Sequence, residues 1–142
     1  MKALNVLSIP RAHRLFPRRV VSADCIASDL VGNCVHVTGD MSSGRYQVST
    51  CDPTNFVKMP AIGVVLSKDT PTLCTVYLTG ELEDLYTGLT VRKVVFVGLD
   101  GRLSEAPPDA GGGPVFVQNM GSVIDSGRIL LMPNFHMTKR IG

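Results

Sequence analysis

Short alternations of apolar and polar residues, not helical repeats, organise this chain. In residues 45–50, RYQVST, Tyr46 and Val48 fall on one side and Gln47 and Ser49 on the other. Residues 73–80, LCTVYLTG, set Cys74, Val76 and Leu78 against Thr75, Tyr77 and Thr79. Residues 33–40, NCVHVTGD, set Val35 and Val37 against Cys34, His36 and Thr38. A period of two puts successive side chains on opposite faces of a strand, so each segment predicts a strand with distinct faces. The run VVFV at 94–97 is apolar throughout, which predicts a strand covered on both sides. PVFVQNMG at 114–121 and GRILLMP at 127–133 supply two more candidates.

Turn chemistry separates these runs: TGDMSSG, CDPTN, SKDTPT, LDG and APPDAGGGP. Leu99-Asp100-Gly101 carries the Asp-Gly pair of a tight hairpin. Pro107 and Pro108, within the loop at 106–114, stop the preceding strand ahead of its glycines. No stretch of ten or more residues keeps a clean 3.6-residue period, and the best helical candidate is one short turn over residues 81–86. Turn signals about every ten residues point to an all-β fold, an antiparallel sandwich or jelly-roll-like body or a small barrel.

The first nineteen residues break this pattern. Pro10 and Pro17 remove amide donors and bias the residues before them toward extended geometry. They also exclude a long helix. Fully extended, these residues would reach roughly 60 Å at about 3.3 Å each. Leu4, Val6, Leu7, Ile9, Leu15 and Phe16 are spaced between basic side chains like anchors. The expected organisation is an extended basic arm at 1–19, one β-domain at 20–134 and a C-terminal tail at 135–142. The apolar stretch at 3–9 is interrupted by Asn5 and Ser8 and stopped by Pro10, so it is not expected to act as a signal peptide.

Charge sharpens the contrast. The arm holds Lys2, Arg11, Arg14, Arg18 and Arg19 and no acid, whereas the rest holds nine basic and twelve acidic residues. Basic arm on mildly acidic body is an interaction-tail pattern, with a solvated terminus as the plainer alternative. The apolar fraction is 44% and the charged fraction 18%, which suits a chain that buries surface, partners included. Trp is absent and aromatics are 6%, which disfavours base stacking and direct nucleic-acid binding.

Candidate chemistry is sparse. Cys25, Cys34, Cys51 and Cys74 contain no C-x-x-C pair, and are expected to be reduced, mostly buried thiols rather than a zinc or redox site. Of the histidines, His13 lies in the arm, His136 in the tail and His36 on a strand, without a nucleophile and orienting acid beside them. Glu81, Glu83 and Asp84 read as a solvated acidic turn. The GGG at 111–113 lacks the lysine and hydroxyl of a phosphate loop. ASDL at 27–30 faintly resembles the first motif of trimeric dUTP pyrophosphatases, but the family's nucleotide motif and glycine-rich phosphate arm do not follow. No residue is assigned a catalytic, cofactor-binding or metal-ligating role, and no enzyme activity is expected.

MPAIGVVLS, VYLTGELEDLYTGLT, VVFVGLDGRLSEAPP, VFVQNMGSVID and ILLMP, in that order, resemble small β-domains of tailed-bacteriophage virion proteins. The shared layout spans roughly residues 29–133 and departs at TVRK, residues 90–93. The resemblance implies a capsid cement or decoration protein: a virion structural protein on the outer capsid surface, made in the host cytoplasm. It would act as a homo-oligomer, dimer or trimer, bridging major capsid protein subunits without membrane or cofactor. The arm would supply the partner contacts through Ile9, Arg11, Arg14, Leu15, Phe16, Arg18 and Arg19. A tail-fibre, baseplate or host-recognition module is the alternative, and a small β-barrel enzyme acting on nucleotides is a third.

Overall fold

A computed structural model describes residues 17–141. Its strands are β1 (Arg19–Asp24), β2 (Cys34–Ser42), β3 (Arg45–Thr50), β4 (Gly63–Thr70), β5 (Leu73–Glu83), β6 (Val94–Val97), β7 (Leu103–Ser104), β8 (Pro114–Val117), β9 (Asn119–Asp125), β10 (Arg128–Leu131) and β11 (Thr138–Ile141). Helical geometry among the described residues is confined to one 3₁₀ turn, Phe56–Lys58. The fold is therefore all-β, and its centre is a barrel. Strands run in the order β1-β3-β2-β4-β5, and β5 pairs back with β1 to close the ring. Within the ring only β1–β3 is parallel.

The barrel's partner is a second sheet, β5-β10-β9-β6-β7, and β5 belongs to both. Residues from Leu73 to Thr79 pair with β4 or β1, whereas Gly80 to Glu83 pair with β10. The change of sheet falls at Gly80, whose φ of +120° and whose closeness to the incoming chain both exclude a side chain. A Cβ there would lie 2.7 Å from the Arg18 Cα. Glycine is what lets one strand turn the corner while another crosses it.

Alternation then sorts the core into two clusters. Val35, Val48, Val65, Cys74 and Val76 point into the barrel with Ala23 and Cys25. Their neighbours Cys34, Val64 and Tyr77 point outward, against Val95, Val97, Met120, Val123, Ile129 and Leu131 of the second sheet. Both faces of the shared wall are thus buried, which is why β4 and β5 carry apolar residues at consecutive positions. Gln118, fully buried, clamps Ala61 through both its backbone groups, at 2.7 and 2.9 Å.

Several expectations change here. The run at 94–97 is covered on one side only, since Val95 and Val97 are buried while Val94 is exposed. The segment at 114–121 is two strands, not one, because the chain leaves β8 at Gln118 to join a different sheet as β9. Residues 81–83 finish β5 rather than form a helical turn. Glu81 is 3% exposed there, with Arg128 Nη1 at 3.4 Å, so it is not a solvated acid. Pairing across to β10 satisfies the backbone that a helical turn would have served. The expected tail at 135–142 contains β11, which pairs with β8. The Leu99-Asp100-Gly101 turn is a hairpin as expected: Gly98 accepts from Gly101, and Gly101 has φ +82°.

The loop between β1 and β2 is held by a buried carboxylate. Asp29 accepts from the Ile26 amide at 2.8 Å, the Ser49 hydroxyl at 3.0 Å, the Thr50 amide at 2.9 Å and the Thr50 hydroxyl at 2.7 Å. Lys68 Nζ adds bonds to the carbonyls of Ile26 and Asp29. Burial alone would push the Asp29 carboxyl up, but these donors outweigh it and hold the group below its ordinary 3.8. The ASDL segment is therefore a structural knot.

Replacing that carboxylate, Asp29→Ala, leaves several buried donors without an acceptor, and should cost about 3 kcal/mol at neutral pH. Urea denaturation of wild type and variant checks this. A depressed folded-state pKa contributes stability above the unfolded value and loses it as pH falls through the folded value. The difference between the two proteins should therefore shrink in acid, below the ordinary 3.8.

Candidate partner-binding surface

The barrel's inward rows do not all end inside the core. Along β2, Val35 is buried but Val37, two residues on, is 43% exposed; along β3, Val48 is buried but Tyr46 is 37% exposed. On β5, Val76 is followed by half-buried Leu78. The strand directions put these three at the same end of the barrel, with Ile62 ahead of β4 beside them. Among the described residues this end is an open mouth floored by the apolar core, since Ile62 and Leu78 pack directly on the barrel cluster.

One wall comes from the chain after β10. Met132 donates its amide to Met120 and Asn134 donates to Asn119, at 2.9 Å each, so this segment is tethered along β9. Pro133 between them has no amide to satisfy. Met132 and Phe135 are left projecting, 50% and 61% exposed. Together Val37, Tyr46, Ile62, Leu78, Thr79, Met132, Pro133 and Phe135 enclose an apolar groove of about 420 Å³. On the other flank of the same segment, Val94, Gly121 and Ser122 form a wider, shallower depression with Met132 and Phe135. The result is an apolar band from barrel to second sheet.

The residues expected to contact partners divide between the barrel body and the residues outside the described range. Ile9, Arg11, Arg14, Leu15 and Phe16 lie outside the described residues. Arg18 and Arg19 belong to the body: Arg18 lays its guanidinium over the Tyr77 ring, 5.5 Å from its centroid, and Arg19 begins β1 opposite Thr79. Neither lines the groove, and the link to it is the pairing of Arg19 with Thr79. Met132, Pro133 and Phe135 were not singled out by sequence. Their signal was weak, a short apolar run after a strand, and only its tethering to β9 makes it a wall.

The remaining candidates are structural. His36 is buried, with Nδ1 2.9 Å from the Ser49 carbonyl, and burial lowers its pKa below the ordinary range. All four cysteines are free and buried. Burial pushes the thiols of Cys34 and Cys51 far up, and that of Cys74 up to about 12, so they stay protonated at neutral pH. Among the described residues, no group of three or more His, Cys, Asp or Glu side chains is placed to hold a metal ion. No helix among them is long and apolar enough to cross a membrane. No family model, curated protein or solved structure matches this chain.

Because the thiolate is the reactive form, Cys34, Cys51 and Cys74 should resist iodoacetamide in the native protein and react fully in guanidinium. Peptide mass spectrometry of native and denatured samples checks this, and rapid native labelling of Cys34 would contradict it.

Proposed function

We propose that this chain is a virion structural protein that binds the outer surface of an icosahedral phage capsid and stabilises it by bridging major capsid subunits, acting as a homo-oligomer. The observation that carries the reading is the apolar band of Val37, Tyr46, Met132, Phe135 and Val94, exposed on a stiff, closed β-frame. Contiguous exposed apolar surface on a folded domain marks a protein–protein contact. The resemblance of residues 29–133 to small phage virion domains supplies the kind of partner. The basic, apolar-studded sequence of the arm, residues 1–19, adds a second means of attachment.

The mechanism is mass action. A protein that binds the assembled shell but not loose subunits shifts assembly toward the shell by its binding free energy. Many copies on one closed lattice multiply a modest contact, because each bridge restrains subunits already held by their neighbours. Nothing in this role requires bond chemistry. It requires a body that does not deform and a surface that stays available, and two cores sharing one wall supply the first.

Met132→Ser combined with Phe135→Ser changes exposed side chains only, so the fold should persist. Cosedimentation with undecorated shells should show affinity lower by more than about tenfold, as expected when two apolar anchors leave an interface. Immunolabelling of purified virions viewed in negative stain should place wild-type protein over the shell. Label confined to the tail would replace this reading with a tail or baseplate module, and absence from virions would remove both.

A further inference from the structure

We infer that the outer edge of β11 takes an extended, acidic segment of a partner protein as a third strand beside β8 and β11. This surface is separate from the apolar band, since none of residues 138–141 lines the groove or the neighbouring depression. Three observations converge on it. The first is the backbone. β8 and β11 make a sheet of two strands, with Thr138 facing Val117, Lys139 facing Phe116, Arg140 facing Val115 and Ile141 facing Pro114. Phe116 gives its amide to the Pro53 carbonyl at 2.8 Å, on the side away from β11. Lys139 and Phe116 are therefore a pair without mutual hydrogen bonds, and alternation turns the amides and carbonyls of Lys139 and Ile141 to the outer side. Pro114, opposite Ile141, has no amide to offer. All four residues of β11 are exposed, and among the described residues this edge is unpaired. A two-stranded ribbon gains stability from a third strand. By contrast β7, the outer strand of the larger sheet, offers only two residues.

The second observation is charge. Lys139 and Arg140 are neighbours on a strand and so project to its opposite faces. Neither forms an ion pair among the described residues, and residues 132–141 contain no acid. A second copy adding its own β11 about a two-fold axis at the middle of the strand would set Lys139 opposite Arg140 twice, like charge against like. The side chains that deter such self-pairing favour a strand with two adjacent acids, one for each face. The third observation is apolar surface on the Lys139 face. Ile141 is 74% exposed there, and Phe116 stacks on exposed Phe56 with ring centroids 5.3 Å apart. A β-branched residue beside the acids would cover Ile141. In such strand addition the main-chain bonds supply affinity and the side chains supply choice of partner.

The test uses the full chain and a blocked, fluorescein-labelled peptide, threonine-valine-glutamate-glutamate-valine-threonine. Fluorescence anisotropy should show saturable binding of this peptide and none of its counterpart with lysines in place of the glutamates. Lys139→Glu with Arg140→Glu changes exposed side chains only, so the fold should persist. This variant should bind the acidic peptide at least about tenfold more weakly and should bind the lysine peptide, because attraction becomes repulsion at both positions. Strand pairing has its own readout: the acidic peptide should slow hydrogen exchange at the Lys139 and Ile141 amides, followed by NMR. Binding without that protection would be a charge contact alone and would overturn the inference. Failure of the acidic peptide to bind would also overturn it. Tighter binding of oligodeoxythymidine, lost in the same variant, would assign the edge to nucleic acid instead.

Discussion

Strand β5 must pair with β1 and β4 in a barrel and with β10 in a second sheet, and one straight strand cannot do this. The backbone has two hydrogen-bonding edges, so a third partner has to be reached by changing direction along the strand. Gly80 supplies that change, with a left-handed φ and no side chain where Arg18 crosses. The rest of the architecture follows from this corner. Residues before it close the barrel; residues after it carry Leu82 into the layer between the sheets and bring buried Glu81 beside Arg128.

The same corner locates the apolar groove. Because β5 leaves the barrel at Gly80, its inward row ends at Leu78, and the mouth there is covered by no further turn of barrel strand. The return of the chain after β10, tethered to β9 through Met120 and Asn119, places Met132 and Phe135 along one side without closing it. The N-terminal segment enters at this very edge because β1 must pair with the last barrel residues of β5 to complete the ring. Groove, apolar wall and the start of β1 therefore share one physical origin.

The opposite end of the barrel is closed by polar bonds rather than left open. Asp29 gathers four donors there, and Tyr86 donates its hydroxyl to the Gly32 carbonyl and accepts from the Leu103 amide while Arg102 covers its ring. This locks the β1–β2 loop to the β6–β7 hairpin. The apolar groove and these polar bonds therefore sit at opposite ends of the barrel.

Much of the fold was legible in the residues. The alternation in β2, β3 and β5 grouped correctly the residues that share a face, Val35 with Val37, Val48 with Tyr46 and Cys74 with Val76, because a strand's two faces follow directly from a period of two, though not which face turns inward. The Leu99-Asp100-Gly101 hairpin was readable for a similar local reason: its conformation depends on the glycine itself. What could not be read was which faces meet. VVFV at 94–97 looks buried on both sides, yet Val94 is exposed, since coverage depends on a neighbouring sheet far away in sequence. PVFVQNMG looks like one strand, yet Gln118 is drawn into the core by Ala61, a partner 57 positions away, and the chain changes sheets. Glu81 reads as a surface acid until β10 covers it. Local alternation and turn chemistry thus determined an all-β chain and the faces of its strands. Only the tertiary structure decided that five strands close into a barrel, that β5 serves two sheets and that the described strands leave one mouth open, because those outcomes are set by long-range pairing that no short stretch of residues contains.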